Sequence, residues 1–431
     1  MRGFRSLKSS FGTQAGLGGR ATLASIDIGA TKMSCQIVRS RAAGGFTRLG
    51  HGYQLAAGIG SDGVVDIDEA VTAISAVIHE AEQSAGETIR EAVITTSCCS
   101  PQSKLVRAQK TLDGRALTED DIADCLRQSA MEAVGPGQRV LHALPVEITI
   151  DGGRPLRDPR GLTGDQVEVL ACLVLVDQAT ANTLVDCIER CHLDVKALMA
   201  APYVAGIGCL SDDEVERGCL MIDLGGGMTD IALFHKSRLV LVDQVPYGGN
   251  HVTSDLAYVL DTSAHHAERI KNLFGSVQWR SCDDNRRISV ARIGDHADQP
   301  TGEVARTQVT QITRARIEEI FNMVQEKLTD AWNVVEPRAP RHVVLTGGAC
   351  QLDGLVELAE EMFGLPTRIG RPSIIHDADG AETEPCCSAV TGALALSTGD
   401  DGGLSEHDII GGPVGRAGLS RLGRWIWENF R

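Results

Sequence analysis

The stretch CLMIDLGGGMTDIALF, Cys219 to Phe234, runs an apolar segment into an aspartate, turns on three glycines and leaves along an alternating segment. That pattern predicts a β-hairpin with a tight turn, whose entering strand ends in a carboxylate. A weaker copy, ASIDIGATKMSCQIV, lies far upstream at Ala24 to Val38. Copies so far apart predict two related lobes rather than a short-period solenoid. In each copy an aspartate, Asp27 or Asp223, stands where packing alone asks for no charge. Two such carboxylates facing across a cleft can hold the waters of a magnesium ion, which binds through few protein groups plus phosphate.

The turns supply the anion side. Gly225, Gly226 and Gly227 let the backbone approach closely and can point successive N–H groups at phosphate oxygens. Gly29, Ala30, Thr31 and Lys32 form a second such turn, with a hydroxyl and a cation for charge-assisted bonds. A third, Thr346-Gly347-Gly348, lies between a strand and a helix and either cradles phosphate or leaves room for a flat base. Any one of these turns is equally well explained as a plain strand end. Three in order, two with matched aspartates, are not.

Composition narrows the classes. The 431 residues allow about three domains. Asp and Glu outnumber Lys and Arg by 57 to 41, and a net charge of -16 repels phosphate polymers, so nucleic acid is not an expected partner. The 13 cysteines form no Cys-x-x-Cys and no zinc spacing, and are expected as buried small hydrophobes in a reducing compartment. The first 26 residues are basic without the apolar run of a secretory signal, so residues 1–20 are expected to be a flexible basic tail. No apolar run approaches the ~20 residues that span a bilayer.

Between the hairpins, periodicity predicts helices at Asp68–Ala85, Glu119–Val134 and Gln178–Cys191, with strands at Ala92–Thr96, Pro145–Ile150 and Val167–Val176. Residues 103–192 thus suggest an α+β insertion in the first lobe. Beyond the second hairpin, His251–Phe274 is expected to be helical and Ser276–Arg306 loop-rich. Gln311–Leu328 is an amphipathic helix, the strand His342–Gly348 follows, and Leu352–Phe363 is again helical.

In this order the turns resemble those of the actin, sugar-kinase and heat-shock-chaperone ATPase superfamily. LHALPVEITIDGG with RDPRGLTGDQVEV, VPYGGNHVTSDLAYVLDTSAHHAERIKNLFG, and VVLTGGACQLDGLVELAEEMFGLPTRIGRP are, within it, similar to the bacterial cell-division FtsA family. The resemblance covers about residues 22–396 and the terminal segment. It implies an α/β, actin-like two-lobed ATPase fold with an inserted α+β subdomain and a C-terminal amphipathic helix. The implied divisions are a first lobe at 21–102 plus 193–218, the insertion at 103–192, a second lobe at 219–396 with a smaller subdomain at 246–334, a linker at 397–413 and a helix at 414–431.

By the same resemblance ATP and Mg2+ are the cofactors. Asp27 and Asp223 position magnesium, Gly29, Thr31 and Gly225 to Gly227 surround the phosphates, and Glu268 and Lys271 line the adenosine pocket with Gly347 and Gly348. One departure stands out. Met228 occupies the place after the glycine triplet where relatives commonly have threonine; Thr229, one place later, is the hydroxyl left to meet the nucleotide, although a one-residue shift on a strand turns it to the opposite face. Of the nearby candidates for a general base, Gln244, His251 and Asp255, each is as well explained structurally, so ATP is expected as a switch with slow or negligible turnover. The alternative is a sugar kinase of the repressor-and-kinase family, whose DIGGTK is close to DIGATK; neither its sugar-pocket base nor its zinc site is visible.

The end of the chain carries the remaining signal. On a helical wheel Leu419, Leu422, Ile426 and Phe430 fall within about 80° of one another, opposite Arg421 and Arg424, with Trp425 and Trp427 on the flanks. This suits a helix lying in the interface of a membrane with anionic lipids. One copy binds weakly, and several copies on an oligomer bind firmly. The resemblance implies a peripheral protein on the cytoplasmic side of the inner membrane at the division septum, which self-assembles, tethers FtsZ and meets later divisome proteins. The exposed face with Arg316 and Glu319 is the expected contact for an FtsZ tail.

Overall fold

The computed structural model describes residues 22–397, apart from 42–44, 281–284, 295–301, 332, 334–337, 373 and 377–382. The basic tail, nearly all of the linker, and the terminal segment with Leu419, Arg421, Leu422, Arg424, Trp425, Ile426, Trp427 and Phe430 lie outside the described residues.

Strands β1 (Thr22–Ile28), β2 (Lys32–Ser40) and β3 (Phe46–Leu55) form an antiparallel meander. A two-residue ladder, β4 (Ile59–Gly60) with β5 (Gly63–Val64), leads to helix α1 (Ile67–Ala85) and strand β6 (Glu91–Thr96). The inserted unit follows: β7 (Gln102–Thr111), α2 (Glu119–Ala133), β8 (Gln138–Ile150) and β9 (Gln166–Asp177). Its three-stranded sheet has the order β7-β9-β8 and its own core around Leu126, Val169 and Leu173. Pro145 sits inside β8, which tolerates it as an edge strand with a register shift at Pro145/Glu147.

The chain returns through α3 (Gln178–Arg190), β10 (Asp194–Ala200), α4 (Ala201–Cys209) and the short α5 (Asp212–Arg217). The second lobe repeats the first. Strands β11 (Cys219–Leu224), β12 (Thr229–His235) and β13 (Arg238–Val245) form another antiparallel meander. Helices α6 (Gly249–Val259) and α7 (Ala264–Phe274), a hairpin β14 (Arg287–Val290) with β15 (Gly302–Ala305), and α8 (Arg306–Asp330) make the smaller unit above it. Strand β16 (His342–Thr346), α9 (Leu355–Phe363), β17 (Thr367–Ile369), β18 (Ile375–His376) and α10 (Ser388–Ser397) complete the described chain.

The two large sheets, β10-β6-β1-β2-β3-β18 and β13-β12-β11-β16-β17, place β1 and β11 in equivalent seats, each between an antiparallel partner and a parallel one. Asp27 and Asp223 therefore stand at the carboxyl ends of parallel strand pairs, where open α/β sheets form ligand crevices. The expectation of a continuous helix at His251–Phe274 is corrected. Asp261 takes a left-handed φ of 51°, Ser263 accepts from the His266 amide, and the helix restarts there. Likewise the loop-rich Ser276–Arg306 contains the β14–β15 hairpin, and a 3-10 turn at Gly348–Gln351 delays α9 to Leu355. Met228 belongs to an apolar cluster shared by the two lobes, so packing explains its place after the glycines.

Helices α4 and α10 meet without room for a side chain: a Cβ on Gly392 would fall 1.7 Å from the Val204 carbonyl oxygen, and one on Gly208 2.1 Å from that of Ser388. Gly392→Ala is therefore expected to cost about 3 kcal/mol. Urea denaturation measures it, and a loss under about 1 kcal/mol would contradict this backbone contact.

Candidate functional site

The site is assembled where the two hairpin turns meet. In the first, the Gly29 amide closes on the Lys32 carbonyl at 3.1 Å, leaving Lys32 exposed at the start of β2. In the second, Gly226 lies so close to Thr31 that a Cβ would come within 2.2 Å of its Oγ1, and one on Gly227 within 2.9 Å of the Ala30 Cβ. Glycine at 226 is thus demanded by the opposing lobe. The third turn joins them from below: Gly347, with φ of 85°, passes Asp223 so closely that a Cβ would sit 2.2 Å from Oδ1. A Cβ on Gly348 would meet nothing within 4 Å, which leaves this side of the turn open.

The carboxylates are the chemical centre. Asp27 Oδ1 accepts the Thr95 hydroxyl at 2.6 Å, and no donor to the Asp223 carboxylate occurs among the described residues. A third aspartate, Asp230, stands directly opposite Asp223 on β12. It accepts from the Ser97 hydroxyl and from Gln244 Nε2 at 2.7 Å, while Gln244 also donates to the Ser97 carbonyl at 2.9 Å. Ser97 follows β6 of the first lobe, so this cluster ties the lobes together. Burial pushes Asp27 up to about 6, against the Thr95 hydrogen bond and with the charge of Asp230 adding to it. Burial likewise pushes Asp230 up to about 6, and it raises Asp223 well above the usual range, with Asp230 and Asp27 adding repulsion.

No Lys or Arg pairs with these carboxylates in any ion pair among the described residues, nor do three or more His, Cys, Asp or Glu group there as a metal cage. A cation held through waters and phosphate fits that donor set. Asp230 was not anticipated. The signal was available: it lies seven places after Asp223, as Ser34 lies seven after Asp27, on a face otherwise filled by Met228, Ala232 and Phe234.

The amino end of α6 braces the glycine triplet. The Gly249 amide donates to Gly225 O at 2.9 Å and the Asn250 amide to Gly226 O at 2.8 Å; Asn250 Nδ2 then reaches across to Thr31 Oγ1 at 2.9 Å. Lys271, buried on α7, spends its three N–H donors on Gly249 O (3.0 Å), Thr253 Oγ1 (2.9 Å) and Glu268 Oε2 (2.7 Å). Burial works against the Glu268 carboxylate, but Lys271 and Thr253 outweigh it and hold the group below its ordinary range. Glu268 and Lys271 are thus brought to the back of the same turn, near Ala349 beyond Gly348.

Three expected residues are engaged by neighbouring groups of the second lobe. Thr229 is fully buried and its hydroxyl donates to the Tyr247 carbonyl at 2.7 Å, so it faces the second lobe's loop rather than a phosphate. Arg316 forms a two-pronged bridge to Asp255 at 2.6 and 2.9 Å, donates to Glu319 at 2.7 Å and lies 5.4 Å from the Tyr247 ring. Arg316, expected with Glu319 to meet an FtsZ tail, thus bridges α8 and α6 because the guanidinium fork matches the Asp255 carboxylate, while Glu319 stays exposed. A groove of about 740 Å³ between β7 and β13, lined by Ser103, Lys104, Arg107 and Glu132, contains none of the motif residues.

Against known proteins, residues 220–392 match the family described as cell division protein FtsA, and residues 100–175 the SHS2 domain inserted in FTSA. Cell division protein FtsA of Agrobacterium fabrum is 34% identical, covering 94% of each chain. That of Pseudomonas aeruginosa is 29% identical over 94% of this chain and 97% of its own, and that of Escherichia coli K12 26% over 95% and 99%. Among solved structures, the PilM-PilN type IV pilus biogenesis complex aligns with a TM-score of 0.61 at 15% identity, covering 88% of this chain and 99% of that one. MreB5 of Spiroplasma citri bound to ADP aligns at 0.53 and 12%, covering 88% and 96%. These likenesses show an actin-like fold.

The raised carboxyls set a pH dependence. Asp230 binds its proton more tightly folded, near 6, than at its ordinary 3.8, so its contribution is full below about pH 4 and is lost as pH rises through 6. Asp230→Asn should flatten that decline and stabilise the nucleotide-free chain at pH 7.5 by up to about 3 kcal/mol. Urea denaturation at pH 5 and 7.5 checks this, and a variant less stable than the parent at pH 7.5 would contradict it.

Proposed function

The chain belongs to the FtsA family of cell division proteins, and from that premise we propose that it binds ATP with magnesium between its lobes and uses the bound nucleotide to govern assembly at the division site. The observation that carries the reading is the apposition of the two turns, Gly226 against Thr31, over half-buried Asp27 and Asp223 that no cationic side chain among the described residues neutralises. In this reading Asp27 and Asp223 hold the ion's waters, and the turns at Gly29 to Lys32 and Gly225 to Gly227 take the phosphates. Gly347, Gly348, Glu268 and Lys271 frame the adenosine. When bound, magnesium neutralises phosphate charge. The residues already bonded across the cleft mouth, Asn250 and Thr31, separate to admit a nucleotide and then report its presence to α6.

Turnover in this reading is slow or negligible. The three general-base candidates are each committed: Gln244 to Asp230 and Ser97, Asp255 to Arg316, and His251 Nδ1 to the Gly248 amide at 3.0 Å. The Thr229 hydroxyl is equally occupied. A sugar kinase is not favoured, since the relatives that match nearly the whole chain are cell division proteins.

The wider role follows the family. The lobes at 21–102 plus 193–218 and 219–396, with the insertion at 103–192, are assigned to self-assembly and to later divisome proteins. The smaller subdomain at 246–334 is assigned to FtsZ, and the segment 414–431, beyond the linker 397–413, to peripheral attachment on the inner membrane. Among the described residues no helix is long and apolar enough to cross a membrane.

Two measurements test this. Calorimetry should find ATP binding that requires magnesium and weakens at least about tenfold, or 1.4 kcal/mol, in Asp223→Ala; fast magnesium-dependent hydrolysis abolished by that change would overturn the switch reading. Vesicles with anionic lipid should sediment the full chain, more so with ATP, and not a chain ending at Ser397. Equal sedimentation of both would remove the terminal segment from the attachment.

A further inference from the structure

Alternation along β1 puts Leu23, Ser25 and Asp27 on one face of the first-lobe sheet, and the register pairs them with Val38, Gln36 and Ser34 of β2. Helix α10 lies across that face. Leu394 packs with Leu23 and Val38, Thr391 lies one turn earlier, and Cys387, just before the helix, has its Sγ 3.1 Å from the hydroxyl of Tyr53, the residue paired with Ser34 on β3. The layer between sheet and helix is therefore apolar at one end and polar toward Asp27. The opposite face of β1, with Ala24, Ile26 and Ile28, is wholly apolar.

That polar end is unmet by protein. Ser25, Gln36 and Thr391 are fully buried and Ser34 is 6% exposed, yet Ser25 Oγ, Ser34 Oγ, Thr391 Oγ1 and both amide atoms of Gln36 have no hydrogen-bond partner among the described residues. Single unmet groups occur in native proteins, but five atoms of four facing side chains exceed what a marginally stable fold carries. The related hairpin shows the contrast. There the seat opposite Asp223 holds Asp230, which Ser97 and Gln244 satisfy; here the seat opposite Asp27 holds Ser34, which no described residue satisfies.

We propose that this seam between β1, β2 and α10 is a site for buried water, hydrogen-bonded by Ser25, Ser34, Gln36 and Thr391, that donates to the carboxylate oxygen of Asp27 which Thr95 leaves open. Water suits the set better than a cation, because Gln36 presents two N–H donors that an ion would repel and water accepts. Ser34 and Gln36 are then positioning residues for Asp27, and Thr391 links that carboxylate to the helix from which the chain runs to its carboxyl end. The water rests on the geometry alone; its bearing on nucleotide rests on the ATP reading above.

The test is a high-resolution crystal structure of the full chain, with thallium soaked into a second crystal. Ordered water within hydrogen-bond distance of Ser25, Gln36 and Thr391 is expected. A thallium anomalous peak in the seam, or side chains bonded to one another with no water, would overturn the proposal. As a second readout, Gln36→Leu, or isosteric Thr391→Val should the first not fold, removes a partner of water that donates to the Asp27 carboxylate. The magnesium concentration that half-saturates ATP binding at constant pH should then rise about threefold or more. A lower melting temperature with an unmoved magnesium requirement would mean packing alone and overturn the positioning role.

Discussion

Desolvation of three neighbouring carboxylates, the buried Asp230 and the half-buried Asp27 and Asp223, with repulsion added at the latter two, is the constraint around which the rest of the molecule is arranged. Each stands in a strand of a hydrophobic sheet, and none has a basic partner among the described residues. Like charges opposite one another, as Asp223 and Asp230 are, destabilise a sheet unless a proton or a cation intervenes. A fold that keeps them is therefore poised to gain from a bound cation. The repeated topology explains how the charges meet: each meander delivers its aspartate to the carboxyl end of a parallel strand pair, and the two ends face each other.

Close approach follows from that arrangement. Gly226 has no room beside Thr31, and Gly347 none beside Asp223, so the glycines record contacts between distant parts of the chain rather than local turn preference. The backbone of the triplet is held in turn by the first amides of α6, and α6 by Lys271 and Glu268 on α7. Anything that displaces the triplet must move this helix pair, to which Arg316 also bolts α8 through Asp255. A small change at the glycine turns thus has a continuous packed route to the outer subdomain.

Much of this was legible in the order of residues, and the remainder divides by physical cause. The hairpins at Asp27 and Asp223 stood out because a carboxylate ending an apolar strand and a glycine turn are local signals. The α+β insertion was visible through periodicity, as was most of α8. Strand β13, whose run of Leu239 to Val242 does not alternate, and helix α10, which is buried nearly all round, were not. Asp230 is masked in the sequence by the neighbouring Met228, whose place is explained by packing in an apolar cluster shared by the lobes. Contacts such as Ser97 with Asp230 and Asn250 with Thr31 join residues far apart in sequence and leave no periodic trace. Arg316 looked like a surface charge because its partner, Asp255, is 61 residues away.

The central claim is that one nucleotide site is made jointly by both lobes. A crystal structure of the chain with magnesium and a non-hydrolysable ATP analogue tests it most directly. The account requires the phosphates to lie between Gly29–Thr31 and Gly225–Gly227, with the ion's waters on Asp27 and Asp223 and the base beside Gly348. A nucleotide bound by one lobe alone, or away from these aspartates, would contradict it.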